Sequence, residues 1–181
     1  MLPTIDWEDG EVVMVDQRKL PSREVYVRCR TAQAVAKAIR TMVIRGAPAI
    51  GVAAAMGVAL ELRRSTTTGT TQLATEFYRA CDLLAATRPT AVNLFWALER
   101  MKRVFSAAMR AGQSADELKT TIGVEAARVH DEDVASCRAL GRHGAEVVPN
   151  DGRVLTHCNA GALATGGYGS ALGVVRAAVE A

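Results

Sequence analysis

The stretch RVLTHCNAGALATGGYGSALGVVRAA, residues Arg153 to Ala178, decides the fold class of this chain. Its opening segment, RVLTHC, has the short apolar pattern of a buried strand, and a glycine-rich turn then leads into an apolar helical segment. A strand, a turn of this kind and a helix form the usual opening unit of an α/β domain. The sequence therefore predicts a strand over Arg153–Cys158 and an α/β fold overall.

The chain before Asn150 has a different character. Two β-branched runs between Glu11 and Arg30, VVMV and VYVRC, flank a polar segment and predict a small antiparallel β element. About five helical patterns follow. We therefore predict an N-terminal β/helical domain over residues 1–150 and the first strand and helix of a Rossmann-like C-terminal domain over 151–181. This second domain is incomplete here, because a single parallel strand cannot satisfy its backbone groups without neighbours.

Residues that start and stop helices divide the first part of the helical region. Thr31 is expected to cap a first helix that ends near Arg45–Gly46, where glycine stops the helical pattern. Pro48 suits the first turn of the next helix, whose small residues predict a central position in the fold. Thr90 follows the Pro89 turn and is expected to cap the helix after it.

A capping box predicts the start of the longest helix. Ser114 is followed three residues later by Glu117, so the two residues can satisfy each other's backbone amides. This helix is expected to run to about His143. His130 and His143 lie among charged neighbours without a partner at ligand spacing, so we interpret both as exposed helix residues with no catalytic role.

Composition excludes several classes of protein. The 181 residues are 49% hydrophobic, 23% charged and 4% aromatic, with a formal charge of +3 from 22 basic and 19 acidic residues. No basic run suggests nucleic-acid binding, and the apolar stretch Pro48–Leu62 is interrupted by Glu61 and too short to cross a bilayer. An acidic N-terminus argues against export and favours the cytoplasm. The cysteines lack zinc or disulfide spacing, so no metal site is predicted at Cys29, Cys81, Cys137 or Cys158.

Cys158 is the first candidate for chemistry. It follows the predicted strand directly, with the glycines of NAGALATGGYG just beyond it, and open α/β sheets bind ligands at such a position. A helix N-terminus favours the thiolate, which acid–base or nucleophilic work near neutral pH requires. The glycines match neither a P-loop nor GxGxxG, so nucleotide binding has no support from a motif. The residues alone leave open that Cys158 is an ordinary buried cysteine.

The second candidate is the Arg45-Gly46-Ala47-Pro48 segment before the central helix. Its backbone amides and guanidinium could hold a phosphate together, because a helix N-terminus favours negative charge and arginine binds phosphate through two hydrogen bonds. Arg88 precedes a similar turn. Each segment could equally be a plain interhelical turn, but in combination with Cys158 they indicate a phosphorylated small molecule as the ligand.

Four segments together make the chain resemble a known family. They are DQRKLP (Asp16–Pro21), MVIRGAPAIGVAAA (Met42–Ala55), TRPTAVNL (Thr87–Leu94) and LTHCNAGALATGGYGSALGVVRAA (Leu155–Ala178). In this combination, and in register over nearly the whole chain, they resemble the 5-methylthioribose-1-phosphate isomerase family. That family shares its fold with the regulatory subunits of translation initiation factor 2B and with ribose-1,5-bisphosphate isomerase.

The resemblance implies a function and a set of site residues. It implies that Cys158 is catalytic and that the sugar phosphate is bound by Arg45, Gly46, Ala47 and Arg88. The family reaction belongs to methionine salvage and converts an aldose phosphate to a ketose phosphate without a metal or organic cofactor. Our hypothesis is that Cys158 handles the proton at C2 while a carboxylic acid opens the sugar ring. The resemblance also implies a homodimer.

Part of the family pattern has no counterpart in these residues. The catalytic aspartate, a substrate-binding glutamine and a late Asn-Lys pair of the family lie beyond Ala181. We therefore expect these 181 residues alone to be inactive and the remaining groups to come from a longer protein or a second chain. The competing hypotheses are a non-catalytic protein that binds a phosphorylated metabolite, as in a translation-factor assembly, and a ribose-1,5-bisphosphate isomerase.

Overall fold

The computed structural model describes residues 4–181 as helices packed beside one small sheet. The elements, in chain order, are strands β1 (Ile5–Glu8), β2 (Glu11–Val15) and β3 (Tyr26–Cys29), helices α1 (Ala32–Arg40), α2 (Ala47–Arg64), α3 (Thr70–Ala85), α4 (Val92–Arg110) and α5 (Ala115–Ala145), a 3₁₀ turn (Ala162–Ala164) and helix α6 (Ala171–Glu180).

The sheet is antiparallel, with β2 between β1 and β3. Its register pairs Met14 with Ile5 on one side and with Val27 on the other. The predicted β element, built on VVMV and VYVRC, is confirmed. The first strand, β1, was not predicted, because its sequence IDWE carries two carboxylates and no β-branched run.

Helix α2 is the centre of the helical part, as its small residues predicted. It packs against α1, α3, α4 and α5 and also touches β1 and β2. An unbroken run from Ala49 to Leu60 is buried, so this helix is apolar on every side rather than along one stripe. Pro48 lies in its first turn, where the missing N–H costs no helical hydrogen bond.

Helix α1 ends at Arg40, so the expectation that it continues to Arg45–Gly46 is wrong. Thr31 caps its start as predicted, with its side chain accepting a hydrogen bond from the Ala34 N–H. At the other end the chain turns through Met42, which has a φ of 60°. The Val43 N–H reaches back to the Ala38 carbonyl at 2.9 Å, which is the Schellman pattern of helix termination. Met42 therefore occupies the left-handed position that glycine usually takes at the end of a helix.

The starts of α4 and α5 differ from each other. Ala91 precedes α4 without a side-chain cap, so the predicted capping role of Thr90 is wrong. The predicted capping box of α5 is confirmed, since Ser114 and Glu117 exchange hydrogen bonds. Helix α4 buries Leu94, Leu98, Met101 and Phe105 in the core, and Phe105 stacks on Phe77 of α3 with ring centroids 4.0 Å apart.

The expected strand over Arg153–Cys158 is wrong for the described chain. Residues 151–159 are all exposed and have no regular secondary structure. A strand needs a neighbour to take its backbone hydrogen bonds, and the three described strands pair only with one another. The glycine-rich segment after Ala160 and helix α6 are ordered, and α6 packs along α5. None of the described helices is long and apolar enough to cross a membrane.

Candidate active site

The Arg45-Gly46-Ala47 segment forms a sharp turn into the N-terminus of α2. Gly46 precedes the helix with a φ of 105°, a backbone conformation that suits glycine and strains other residues. No side chain among the described residues caps this helix start. The first backbone N–H groups of α2 therefore keep their hydrogen-bonding capacity and their partial positive charge, which is an arrangement suited to an anion.

The glycine-rich loop, residues 160–169, is closed on itself by backbone and side-chain hydrogen bonds. The Ala160 carbonyl accepts from the Ser170 N–H at 3.0 Å and the Leu172 N–H at 3.3 Å, at the start of α6. The Thr165 hydroxyl accepts from the Gly169 N–H at 3.0 Å. These bonds fix the loop at both of its ends.

The structure brings the turn and the glycine-rich loop into direct contact. A Cβ atom placed on Gly46 would lie 2.4 Å from the Ala164 Cα, so the two backbones touch. The side chain of Gln17 connects them, since its Nε2 donates to the Leu163 carbonyl at 2.7 Å and to the Arg45 carbonyl at 3.4 Å. The two segments are separate candidates in the sequence, and in the structure they form one surface.

Helix α5 holds the glycine-rich loop from the other side. The Gly166 N–H donates to the Asp133 carboxylate at 2.6 Å, and the His130 Nε2 lies 3.2 Å from the Gly166 carbonyl oxygen. Burial raises the pKa of Asp133, and the Gly166 hydrogen bond opposes that increase. The interpretation of His130 as a free exposed residue is therefore wrong, because its ring is half-buried against the loop. His143 is exposed, as predicted.

Cys158 lies at the edge of this surface and is exposed. It has a φ of 68° and precedes Ala160 by two residues, so its Cα lies within about 7 Å of the Cα of Ala160, whose carbonyl caps the start of α6. The other cysteines, Cys29, Cys81 and Cys137, are buried. Cys158 is thus the one accessible thiol among the described residues, whereas the buried Cys137 of α5 lies against Thr165 and Gly169 of the glycine-rich loop.

The two arginines lie on separate loops. Arg45 is exposed beside Gly46, and Arg88 is half-buried in the loop before α4. The α4 and α2 starts are close, since the Asn93 carbonyl oxygen is 2.8 Å from where a Cβ of Gly51 would lie. A cavity of about 380 Å³ lies between them, lined in part by Pro48, Asn93 and Asp133. Among residues 4–181, neither guanidinium forms a recorded ion pair, and no hydrogen bond joins Arg88 to Arg45 or Cys158.

Several residues at this surface were missed by the sequence analysis. Gln17 and Thr4 bind successive carbonyls of the 3₁₀ turn, with the Thr4 hydroxyl donating to Ala162 at 2.7 Å. Gln17 belongs to the DQRKLP segment, which contributed to the family resemblance without a role for any side chain. A polar residue two positions after the buried strand β2 was the available signal. In the described part of the chain, no group of three or more His, Cys, Asp or Glu side chains could hold a metal ion.

Comparison with known sequences places the chain in a family. The chain belongs to the initiation factor 2 subunit family, whose sequence profile matches residues 43–181.

Relatives at higher similarity carry a more specific name. The chain is 57% identical over 178 residues to a methylthioribose-1-phosphate isomerase from Geobacter metallireducens, covering 98% of this chain and 51% of the relative. It is 52% identical over 180 residues to a protein of the same name from Koribacter versatilis, covering 99% of this chain and 50% of that protein. The chain therefore spans about half the length of the curated relatives it matches.

Solved structures of two kinds share the fold. The 5-methylthioribose 1-phosphate isomerase from Pyrococcus horikoshii superposes with a TM-score of 0.91 at 41% identity, covering 97% of this chain and 49% of that one. The delta subunit of the translation initiation factor eIF-2B from A. fulgidus superposes with a TM-score of 0.88 at 42% identity, covering 99% of this chain and 52% of that one.

Proposed function

We propose that the complete gene product isomerises 5-methylthioribose 1-phosphate to 5-methylthioribulose 1-phosphate, a reaction of methionine salvage, in the cytoplasm. The observation that carries the proposal is the contact between the Gly46 turn and the glycine-rich loop, with the exposed thiol of Cys158 at its edge. The names of the relatives support the choice of substrate. In this proposal Arg45, Gly46, Ala47 and Arg88 hold the phosphate.

The proposed chemistry moves one hydrogen between neighbouring carbons. Cys158 removes the proton at C2 while an acid protonates the ring oxygen, and the bond from C1 to the ring oxygen breaks. The resulting enediol phosphate regains a proton at C1 and loses one from its C2 hydroxyl, which becomes the ketone. Each proton transfer of this type contributes about 10² to 10⁴ in rate. Phosphate held at the α2 N-terminus would fix C1 and C2 relative to the thiol.

The acid and the rest of the substrate site are proposed to lie outside these 181 residues. Residues 151–181 would begin a Rossmann-like domain in the complete gene product, with Arg153–Cys158 taking its place as a strand once neighbouring strands are present. A homodimer is proposed on the family resemblance. The exposure of residues 151–159 in the described chain supports the proposed strand, because it leaves their backbone groups available for pairing with neighbouring strands.

A second candidate function is non-catalytic. The fold match to a translation initiation factor subunit supports a protein that uses the same surface to bind a phosphorylated metabolite without converting it. Such a protein needs the anion-binding turn but has no use for a thiol beside it. The exposed Cys158 therefore favours the isomerase.

The test is an isomerase assay on the complete gene product, followed by NMR of the C1 and C2 protons. Turnover of 5-methylthioribose 1-phosphate supports the proposal. Turnover of ribose 1,5-bisphosphate alone would contradict it and support a ribose-1,5-bisphosphate isomerase instead. Binding of both sugar phosphates without turnover of either would support the non-catalytic function and contradict the isomerase proposal.

A further inference from the structure

The side chain of Gln17 lies between the two segments that form the candidate site. It follows the buried strand β2, and its residue is only 7% exposed. Its backbone N–H donates to the Val43 carbonyl at 2.9 Å, which fixes its main chain beside the stretch leading to Arg45. Its Nε2 group then donates to carbonyls on both sides, on Leu163 and on Arg45.

The amide has only one orientation that satisfies these contacts. Both partners are carbonyl oxygens, which accept and cannot donate, so the nitrogen must face them. In that orientation the Oε1 atom is buried and accepts no hydrogen bond from any described residue. A buried acceptor without a partner is costly, and an apolar side chain of the same length would avoid that cost. Gln17 donates hydrogen bonds to two segments while its own Oε1 acceptor stays unpaired, which points to a requirement other than stability.

We propose that Gln17 is a positioning residue that links the Gly46 turn to the glycine-rich loop and so sets the position of a bound phosphate relative to Cys158. This inference rests on the proposed function. The link is proposed to couple phosphate binding at the Gly46 turn to the reactivity of the Cys158 thiol. Such coupling is reciprocal and measurable as the effect of one on the other.

The variants are designed to remove the link in different ways. Gln17→Met keeps the length of the side chain and removes both donations, while Gln17→Glu places a carboxylate against two carbonyls. Thr4→Val removes the neighbouring bond to Ala162 but leaves the link to Arg45 intact. Gln113→Met is the matched control, because Gln113 lies near the start of α5 and its Oε1 accepts only from Thr121 among the described residues.

Two measurements on the complete gene product test the proposal. The first is kcat and KM with 5-methylthioribose 1-phosphate. We expect kcat to fall by about 10²-fold in the Gln17 variants, with a much smaller change in KM, because a displaced reacting group slows chemistry more than binding. The second is the rate of Cys158 alkylation by iodoacetamide with and without inorganic phosphate. We expect phosphate to change that rate by about fivefold or more in the wild type and not in the Gln17 variants.

The outcomes separate this inference from the proposed function. An inactive wild type contradicts the proposed function, and the alkylation measurement then still tests the link. Wild-type kcat and wild-type phosphate sensitivity in Gln17→Met overturn the inference. An equal loss of phosphate sensitivity in Thr4→Val also overturns it, because loop stability rather than the link would then be the cause. If Gln17→Glu does not fold, Gln17→Met decides, with a melting temperature near that of the wild type as its check.

Discussion

Two neighbouring segments near the end of the chain contrast sharply. The glycine-rich loop, residues 160–169, is held from the sheet side by Thr4 and Gln17 and from α5 by Asp133. Residues 151–159 immediately before it are exposed throughout. The contrast separates the surface that we propose binds an anion, which local packing already fixes, from the segment with the thiol, which has no such packing among the described residues.

The difference also explains why the glycine-rich loop is ordered without a strand before it. Its carbonyl and amide groups find partners on elements from the N-terminal part of the chain, so it does not depend on a parallel sheet. The segment with Cys158 has the apolar pattern of a strand but no such partners among the described residues. The apolar pattern of residues 151–159 is therefore not matched by burial, whereas the glycine-rich loop that follows is held by its partners.

The largest expected effect is a difference in reactivity between the thiol of Cys158, in the exposed segment, and the thiol of Cys137, which lies on α5 against the glycine-rich loop. Iodoacetamide should label Cys158 in the native chain about 10³ times faster than Cys137, because a buried thiol reacts only when the structure opens. Burial raises the pKa of Cys137, and nearby Asp133 raises it further. Burial also raises the pKa of Cys29 to about 11 and that of Cys81 to about 12. Peptide mass spectrometry of a time course measures the four rates.

Similar labelling rates for the two thiols would contradict this expectation. Labelling of Cys137 at a rate close to that of Cys158 would mean that α5 and the glycine-rich loop are not packed as described. Labelling in denaturant, where all four thiols react, serves as the control.

The next effect concerns the contact between the turn and the loop. Gly46→Ala should lower the free energy of unfolding by about 3 kcal/mol or more, since it adds a clash with Ala164 to the cost of a positive φ. Gly112→Ala is the matched control, because Gly112 also has a positive φ, 74°, but nothing within 4 Å of an added Cβ. It should cost about 1 kcal/mol. Urea unfolding of the two variants provides the comparison, and equal losses would remove the evidence for close contact.

A smaller effect is expected where α5 holds the loop. Asp133→Ala leaves the Gly166 N–H without its acceptor and should cost about 1–3 kcal/mol in unfolding free energy. Hydrogen exchange at Gly166 should become faster in this variant. Asp131→Ala is the control, since the Asp131 carboxylate is exposed and contacts the His130 Nδ1 rather than the glycine-rich loop. Unchanged exchange at Gly166 in Asp133→Ala would show that other contacts hold the loop.

The smallest effect is a pH dependence at the same carboxylate. The pKa of Asp133 is raised from its ordinary value of 3.8, mainly by burial. A raised folded pKa means that the folded chain binds the proton more tightly than the unfolded chain. The stability of the wild type relative to Asp133→Asn should therefore be greatest below pH 3.8 and should fall as the pH rises through the folded pKa. Unfolding curves over that range measure the difference, and a difference that grows with pH would contradict the assignment.

The sequence predicted some of these features and missed others for identifiable reasons. The Gly46 turn and the glycine-rich loop were found because glycine and proline reveal backbone geometry directly. Their contact was not found, since it joins residues far apart in the sequence and is bridged by Gln17, an ordinary residue whose position only the tertiary structure reveals. The strand over Arg153–Cys158 was predicted from its apolar pattern, but a pattern cannot supply the neighbours that a strand requires. Met42 ended a helix without the glycine that normally signals it.

The central claim is that the turn holds a sugar phosphate while Cys158 carries out proton transfer. Its most direct test compares the complete gene product with its Cys158→Ser variant, measuring turnover of 5-methylthioribose 1-phosphate and, separately, its dissociation constant. We predict a loss in turnover of about 10²- to 10⁴-fold with binding nearly unchanged, because serine lacks the acidity of the thiol but preserves its size. Turnover equal to that of the wild type would contradict the claim.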